Sequence, residues 1–72
     1  MVLIGRVERV EPGRLVVRDR QTERRVIVHA RNTRCYFPGD LLHILYSGVM
    51  THSNPPQISA IAIRRLFPSR SC

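Results

Sequence analysis

Between Phe37 and Ile63 the chain reads FPGDLLHILYSGVMTHSNPPQISAIAI, two apolar runs held apart by a polar loop that contains a double proline. That punctuation leaves room for strands and almost none for a packed helix. Pro38-Gly39 sets a tight reversal, because proline fixes φ at the first central turn position and glycine accepts the positive φ that a type II turn needs at the second. Leu41 to Tyr46 follows as a short run bounded by turn residues on both sides, Gly39-Asp40 and Ser47-Gly48. It is too short for a helix and of ordinary length for a strand. Pro55-Pro56 then requires an extended approach to the last run. There Ile58, Ala60 and Ala62 share one face, and Ser59, Ile61 and Ile63 the other. Apolar residues on both faces predict a strand covered on both sides for part of its length.

The first half of the chain carries the same signals. Val2 to Val10 reads as a strand whose apolar positions, Val2 and Ile4 and then Val7 and Val10, change phase after Gly5. A glycine inside a strand marks a bulge or bend, so the bulge is expected there. Glu11-Pro12-Gly13-Arg14 repeats the Pro-Gly reversal. Leu15 to Asp19 and Arg24 to Ala30 form the next two strands across the polar connection Arg20 to Glu23, with Val26 and Val28 on one face and Ile27 and His29 on the other. Arg31 to Phe37 is too short and too polar for more than one helical turn and crosses the end of the fold. The predicted strands are therefore 2–10, 15–19, 24–30, 41–46 and 58–66. Three strands, a crossing and two strands fit an all-β, five-stranded OB-like Greek-key barrel over residues 1–66, with 67–72 as a flexible C-terminal tail. An SH3-like barrel is the alternative, since periodicity alone does not separate the two.

A chain of 72 residues buries only about 60% of the surface that it exposes when unfolded. Nearly every Val, Ile and Leu is then needed inside to offset chain entropy. An enclosed small-molecule site is not expected, and a binding surface on the outside of the barrel is.

The formal net charge is +7, and all twelve basic residues are arginine. Arginine presents a planar fork that pairs bidentately with phosphate and stacks on bases, which suits nucleic acid. A genome rich in G and C also replaces lysine by arginine without selection for binding, so both readings are carried. The arginines that cluster in sequence are Arg18, Arg20, Arg24, Arg25, Arg31 and Arg34, around one hairpin. With the second and third strands paired, Arg18 and Arg20 lie near Arg24 and Arg25, and opposed like charges are destabilising unless an anion lies between them. The competing view is a solvated face balanced by Asp19 and Glu23.

Two resemblances rest on particular residues. Gly5-Arg6-Val7, the run Gly39-Asp40-Leu41-Leu42-His43-Ile44, Tyr46-x-Gly48 and Ser53-x-Pro55-Pro56-Gln57-Ile58-x-Ala60 with Ile63 resemble a small bacterial OB-like family of unassigned function, whose last two strands are joined by a loop ending S-x-P-[AP]-Q. That resemblance implies a fold more than an activity. The size, the basic charge, the early G-x-V and the glycine-aspartate pair before the fourth strand also resemble translation initiation factor one and other S1-like RNA-binding domains. Such modules present aromatic or basic residues on the second and third strands. Here those strands hold no aromatic residue, and Tyr36, Phe37, Tyr46 and Phe67 lie elsewhere.

Chemistry of other kinds has little support. His29, His43, His52 and Cys35 lack the regular spacing of zinc ligands. Ser47, Ser53, His52 and Asp40 lack a G-x-S-x-G elbow, and Asp40 is better placed to cap the Pro-Gly turn. The two cysteines, Cys35 and Cys72, have no paired spacing, so no disulfide framework is expected. The N-terminal Met-Val-Leu-Ile-Gly-Arg lacks the features of a signal peptide. The expectation is a monomeric, cytoplasmic, non-enzymatic module without cofactor, metal, small-molecule substrate or membrane span. It binds an anionic polymer such as single-stranded RNA or DNA through the arginine-rich hairpin. The alternative is a protein-protein interaction module using Val49, Met50 and Ile58.

Overall fold

The computed structural model describes residues 1–67. Five strands account for its regular structure: β1 Val2–Glu11, β2 Arg14–Asp19, β3 Arg25–His29, β4 Leu41–Tyr46 and β5 Gln57–Arg65. Each begins and ends close to its predicted bounds, because turn residues set those ends locally. The strands close in the order β1-β2-β3-β5-β4. β3 and β5 run parallel, whereas the other four neighbouring pairs are antiparallel. β1 pairs with both β2 and β4, and consecutive β3 and β4 do not pair. This is the Greek-key closure of an OB-like barrel rather than a continued meander. Strands 2–10 and 58–66 therefore meet through β4 between them.

Inward positions fill one core. Leu3 and Val7 of β1, Leu15 and Val17 of β2, Val26 and Val28 of β3, Leu42, Ile44 and Tyr46 of β4 and Ile58 of β5 are all buried. The alternation in β3 is as expected, with Val26 and Val28 inside. Ala60 and Ile63 pack against this core only partly.

Two register shifts correct the sequence reading. In β1, Val7 pairs with Val17 but Arg9 with Val16, so Glu8 is the extra residue. The bulge is at Glu8 and not at Gly5. Gly5 stays in phase with Leu3 and Val7, and is there because the strands approach closely: a Cβ at Gly5 would stand 2.6 Å from the Arg18 carbonyl oxygen and within contact of Val17 Cγ1. In β5, Leu45 pairs with Ala62 but Tyr46 with Ala60, leaving Ile61 unpaired and exposed. β5 is thus not covered on both faces. Its apolar residues change face at a bulge.

The connection from β3 to β4 is pinned at three places. Thr33, itself buried, donates its hydroxyl to the Glu11 carbonyl at 2.8 Å. Gly39, at φ +97°, completes the predicted reversal. Its amide donates to Val7 O at 2.7 Å, and the Val7 amide donates to Asp40 O at 2.8 Å, so the turn extends the β1–β4 ladder. Asp40 caps the turn as expected, accepting from the Phe37 amide at 2.9 Å through Oδ2.

The same oxygen accepts from Arg65 Nε at 3.2 Å. Arg65 also donates to the Cys35 carbonyl and lies over the Tyr36 ring. Both charged side chains are largely shielded, at 12% and 14% exposure. Replacing Asp40 by Ala removes the turn cap and leaves the guanidinium without its carboxylate, at a cost of about 2 kcal/mol. A thermal midpoint about 10 °C lower is expected by circular dichroism.

Cys35 is disulfide-bonded, which the cysteine spacing did not suggest. Of the expected tail 67–72, residues 68–72 lie outside the described residues.

Candidate nucleic-acid interface

The β2–β3 turn sets the register of the arginines. The Asp19 amide donates to Arg24 O at 2.8 Å and the Glu23 amide to Asp19 O at 2.7 Å. Asp19 Oδ1 accepts from the Gln21 amide at 2.8 Å, an aspartate-initiated turn of the usual kind. Glu23 takes the left-handed conformation, φ 61°, where a glycine was not available. The resulting register puts Arg18 directly opposite Arg25, and on its other side opposite Arg6 of β1. Three guanidinium-bearing positions thus lie abreast on adjacent strands, with all three residues exposed.

Glu8 relieves the repulsion within this row. Arg18 Nε donates to its Oε2 at 2.9 Å and Arg25 Nε to its Oε1 at 2.8 Å. Arg18 Nη1 also donates to the Glu23 carbonyl at 2.9 Å. The anion between the opposed arginines is therefore a carboxylate of the chain itself. It is neither of the two acids, Asp19 and Glu23, expected to balance the face. Sequence reasoning missed Glu8 because its neighbours across the sheet are ten and seventeen residues away. The one local signal was the phase change between Val7 and Val10, which a bulge at Glu8 explains and which aims its side chain.

An open groove of about 990 Å³ lies beside this clasp. Arg18, Arg24 and Arg25 line one wall and residues 50–56 of the β4–β5 loop the other. The loop is braced across its neck: the Thr51 amide donates to Gln57 O at 3.1 Å, and the Gln57 amide to Thr51 Oγ1 at 2.9 Å. Ser53 Oγ shares a hydrogen bond with Thr51 Oγ1 at 2.6 Å and donates to Pro55 O at 2.9 Å. The Asn54–Pro55 peptide is cis. Its polar wall leaves the His52 and Asn54 side chains exposed. No carboxylate lines the groove among the described residues, and the only aromatic ring of their lining is the exposed imidazole of His52.

The six candidate arginines do not form one site. Arg18, Arg24 and Arg25 share the groove. Arg20 lies around the turn and does not line the groove, but shares a smaller depression with Arg6, Arg18 and Phe67. Arg31 borders a third, beside Tyr36 and Ile61, and Arg34 lies exposed on the β3–β4 crossing. Clustering in sequence overstated clustering in space because the crossing turns away from the hairpin.

The groove's charged side chains are the guanidiniums of Arg18, Arg24 and Arg25. Ser53 is hydrogen-bonded to Thr51 and Pro55. Among the described residues no three His, Cys, Asp or Glu side chains converge as a metal site requires. No helix among them is long and apolar enough to cross a membrane.

Hydrogen bonds from Arg18 and then Arg25 hold the Glu8 carboxyl below its ordinary value of 4.5, and those from Arg9 and then Arg14 do the same for Glu11. A depressed folded-state pKa contributes stability that is present above the unfolded value and is lost as pH falls through the folded one. The thermal midpoint should hold from neutrality to about pH 5 and then fall on further acidification. A Glu8→Gln, Glu11→Gln double variant should show a shallower fall over the same interval, read from melts at a series of pH values.

Set against protein families, curated proteins and solved structures, the chain matches none of them.

Proposed function

We propose that this barrel is a non-enzymatic binding module for single-stranded nucleic acid. It holds the phosphate backbone in the groove between the β2–β3 hairpin and the β4–β5 loop. The observation that carries this reading is the convergence of Arg18, Arg24 and Arg25 on one groove whose described lining contains no acid. The Nη groups of Arg25 stay outside its Nε bond to Glu8. Phosphate contacts position a strand without reading its sequence. With no Phe, Tyr or Trp in the described lining and His52 as its one aromatic ring, base stacking adds little, and sequence preference is expected to be weak. The proposal takes the protein to be a cytoplasmic monomer.

The test is titration of the labelled protein with a mixed-sequence single-stranded oligonucleotide at two salt concentrations. Three neutralised phosphates give a logarithmic slope of about −2, so a fourfold rise in salt should weaken binding roughly twentyfold. Affinity that does not change with salt would exclude this mode.

A protein-interaction reading has one observation of its own. Val2 and Leu45 are register partners on the outer face of β1 and β4, and both are exposed, as is Ile61 at 66%. The residues first expected to serve that role are placed differently. Ile58 is buried in the core and Met50 packs against it, leaving only Val49 of the three exposed.

A further inference from the structure

Glu8 is placed where no strand partner holds it, yet both of its carboxylate oxygens are engaged by arginines that belong to the groove wall. It does not itself line the groove. Its carboxylate bonds Arg18 and Arg25 through Nε, the edge of the guanidinium nearer the barrel, and spans two strands to do so. The pairs are solvent-accessible, with the arginine side chains 45% and 62% exposed. Such contacts are weak and exchangeable rather than structural anchors. A bulge is the usual device for re-aiming a side chain, and here it delivers a negative charge to the two arginines that a phosphate would need.

We propose that Glu8 is a resident counter-anion which an incoming phosphate must displace from Arg18 and Arg25, so that the groove selects a chain of adjacent phosphates over a free phosphate. This rests on the nucleic-acid reading of the groove and concerns its selectivity. A tethered carboxylate competes at an effective concentration in the millimolar range or above. A free phosphate ion at ordinary concentration does not overcome it. A single strand does, because its next phosphates engage Arg24 and the remaining guanidinium edges at the same time, and linked contacts add without a new loss of translational freedom. Glu8 also holds the opposed pair Arg18 and Arg25 together while the groove is empty, since opposed like charges repel.

The experiment follows the arginine Nε–H resonances of Arg18 and Arg25 in nitrogen-15-labelled protein during two titrations, one with inorganic phosphate and one with a mixed-sequence single-stranded oligonucleotide. In the wild type, phosphate at about 10 mM should leave both resonances in place and the oligonucleotide should move both. In Glu8→Gln, phosphate should move them. The oligonucleotide should bind about fivefold tighter, with the salt slope unchanged because the same phosphates are neutralised.

Equal or weaker oligonucleotide binding by Glu8→Gln overturns the proposal and leaves the nucleic-acid reading intact. Failure of the wild type to bind the oligonucleotide removes that reading. A phosphate response gained by Glu8→Gln would then still support a resident counter-anion, and no gain would overturn it. If the variant does not fold, the wild type decides alone. Movement of both resonances on oligonucleotide binding supports displacement, and binding that leaves them unmoved overturns it.

Discussion

Gly5→Val leaves the chain unfolded at 25 °C, and Gly5→Ala lowers the thermal midpoint by about 15 °C, the first of two large effects expected from this structure. Gly5 lies in the centre of β1, registered against Asp19 of β2 and Leu42 of β4. A Cβ there would meet the Arg18 carbonyl oxygen at 2.6 Å and Val17 Cγ1 as well. The carbonyl belongs to a paired strand and Val17 is fully buried, so neither moves without opening the β1–β2 ladder. Alanine therefore costs about 3 kcal/mol, against a total stability of roughly 4–11 kcal/mol for a chain of this length. A β-branched residue adds two further groups to the same space. Gly13→Ala is the control, since a Cβ there meets nothing within 4 Å. Its cost is only the positive φ of 77°, about 1 kcal/mol. Denaturant unfolding of the three variants should rank them in that order, and a Gly5→Ala variant as stable as wild type would mean that β1 and β2 are farther apart.

Replacing Arg18, Arg20, Arg24 and Arg25 together by Gln should leave the barrel folded and weaken single-stranded RNA binding at least about a hundredfold at low salt. All four residues are exposed, and surface substitutions of this kind change stability by about 1 kcal/mol or less. Glutamine retains hydrogen bonding to Glu8 while removing the charges that attract phosphate. Net charge falls by four, so a control that also loses charge is needed. Arg31, Arg34 and Arg64 changed to Gln remove three charges outside the groove. If placement governs affinity, that control loses only a few-fold, through the long-range field. Equal losses in the two variants would show that net charge alone is at work. Arg20 separates the contributions further, because it faces another depression, and Arg20→Gln alone should be nearly neutral.

What the sequence made legible was what is decided locally. Pro12-Gly13 and Pro38-Gly39 are turns wherever they fall, and both glycines take the positive φ that those turns require. Alternation in Arg25–His29 put Val26 and Val28 on one face, and because the strand has no bulge that whole face is buried. The errors lie where pairing across the barrel decides. Gly5 looked like a bulge because glycines often mark one, but its role is close approach to β2, which no local pattern encodes. Ile61 and Ile63 looked like one covered face because a period of two was carried through the register shift at Leu45, which turns Ile63 toward the core and leaves Ile61 exposed. The clasp depends on residues 8, 18 and 25, which only the closed β1-β2-β3 sheet brings together. The six arginines are dispersed for the same reason. Arg18, Arg24 and Arg25 lie on a hairpin whose register turn residues fix, whereas Arg31 and Arg34 follow a crossing whose direction is set by Thr33 and by the Asp40–Arg65 pair.

The central claim is that this groove takes a single strand, and amide shift mapping on wild-type protein tests it most directly. With a mixed-sequence single-stranded oligonucleotide at low salt, the perturbed amides should be those of Arg18, Arg24, Arg25 and residues 50–56, and raising the salt should reverse the changes. Absence of any perturbation at low salt, or perturbation confined to Val2, Leu45 and Ile61, would contradict it.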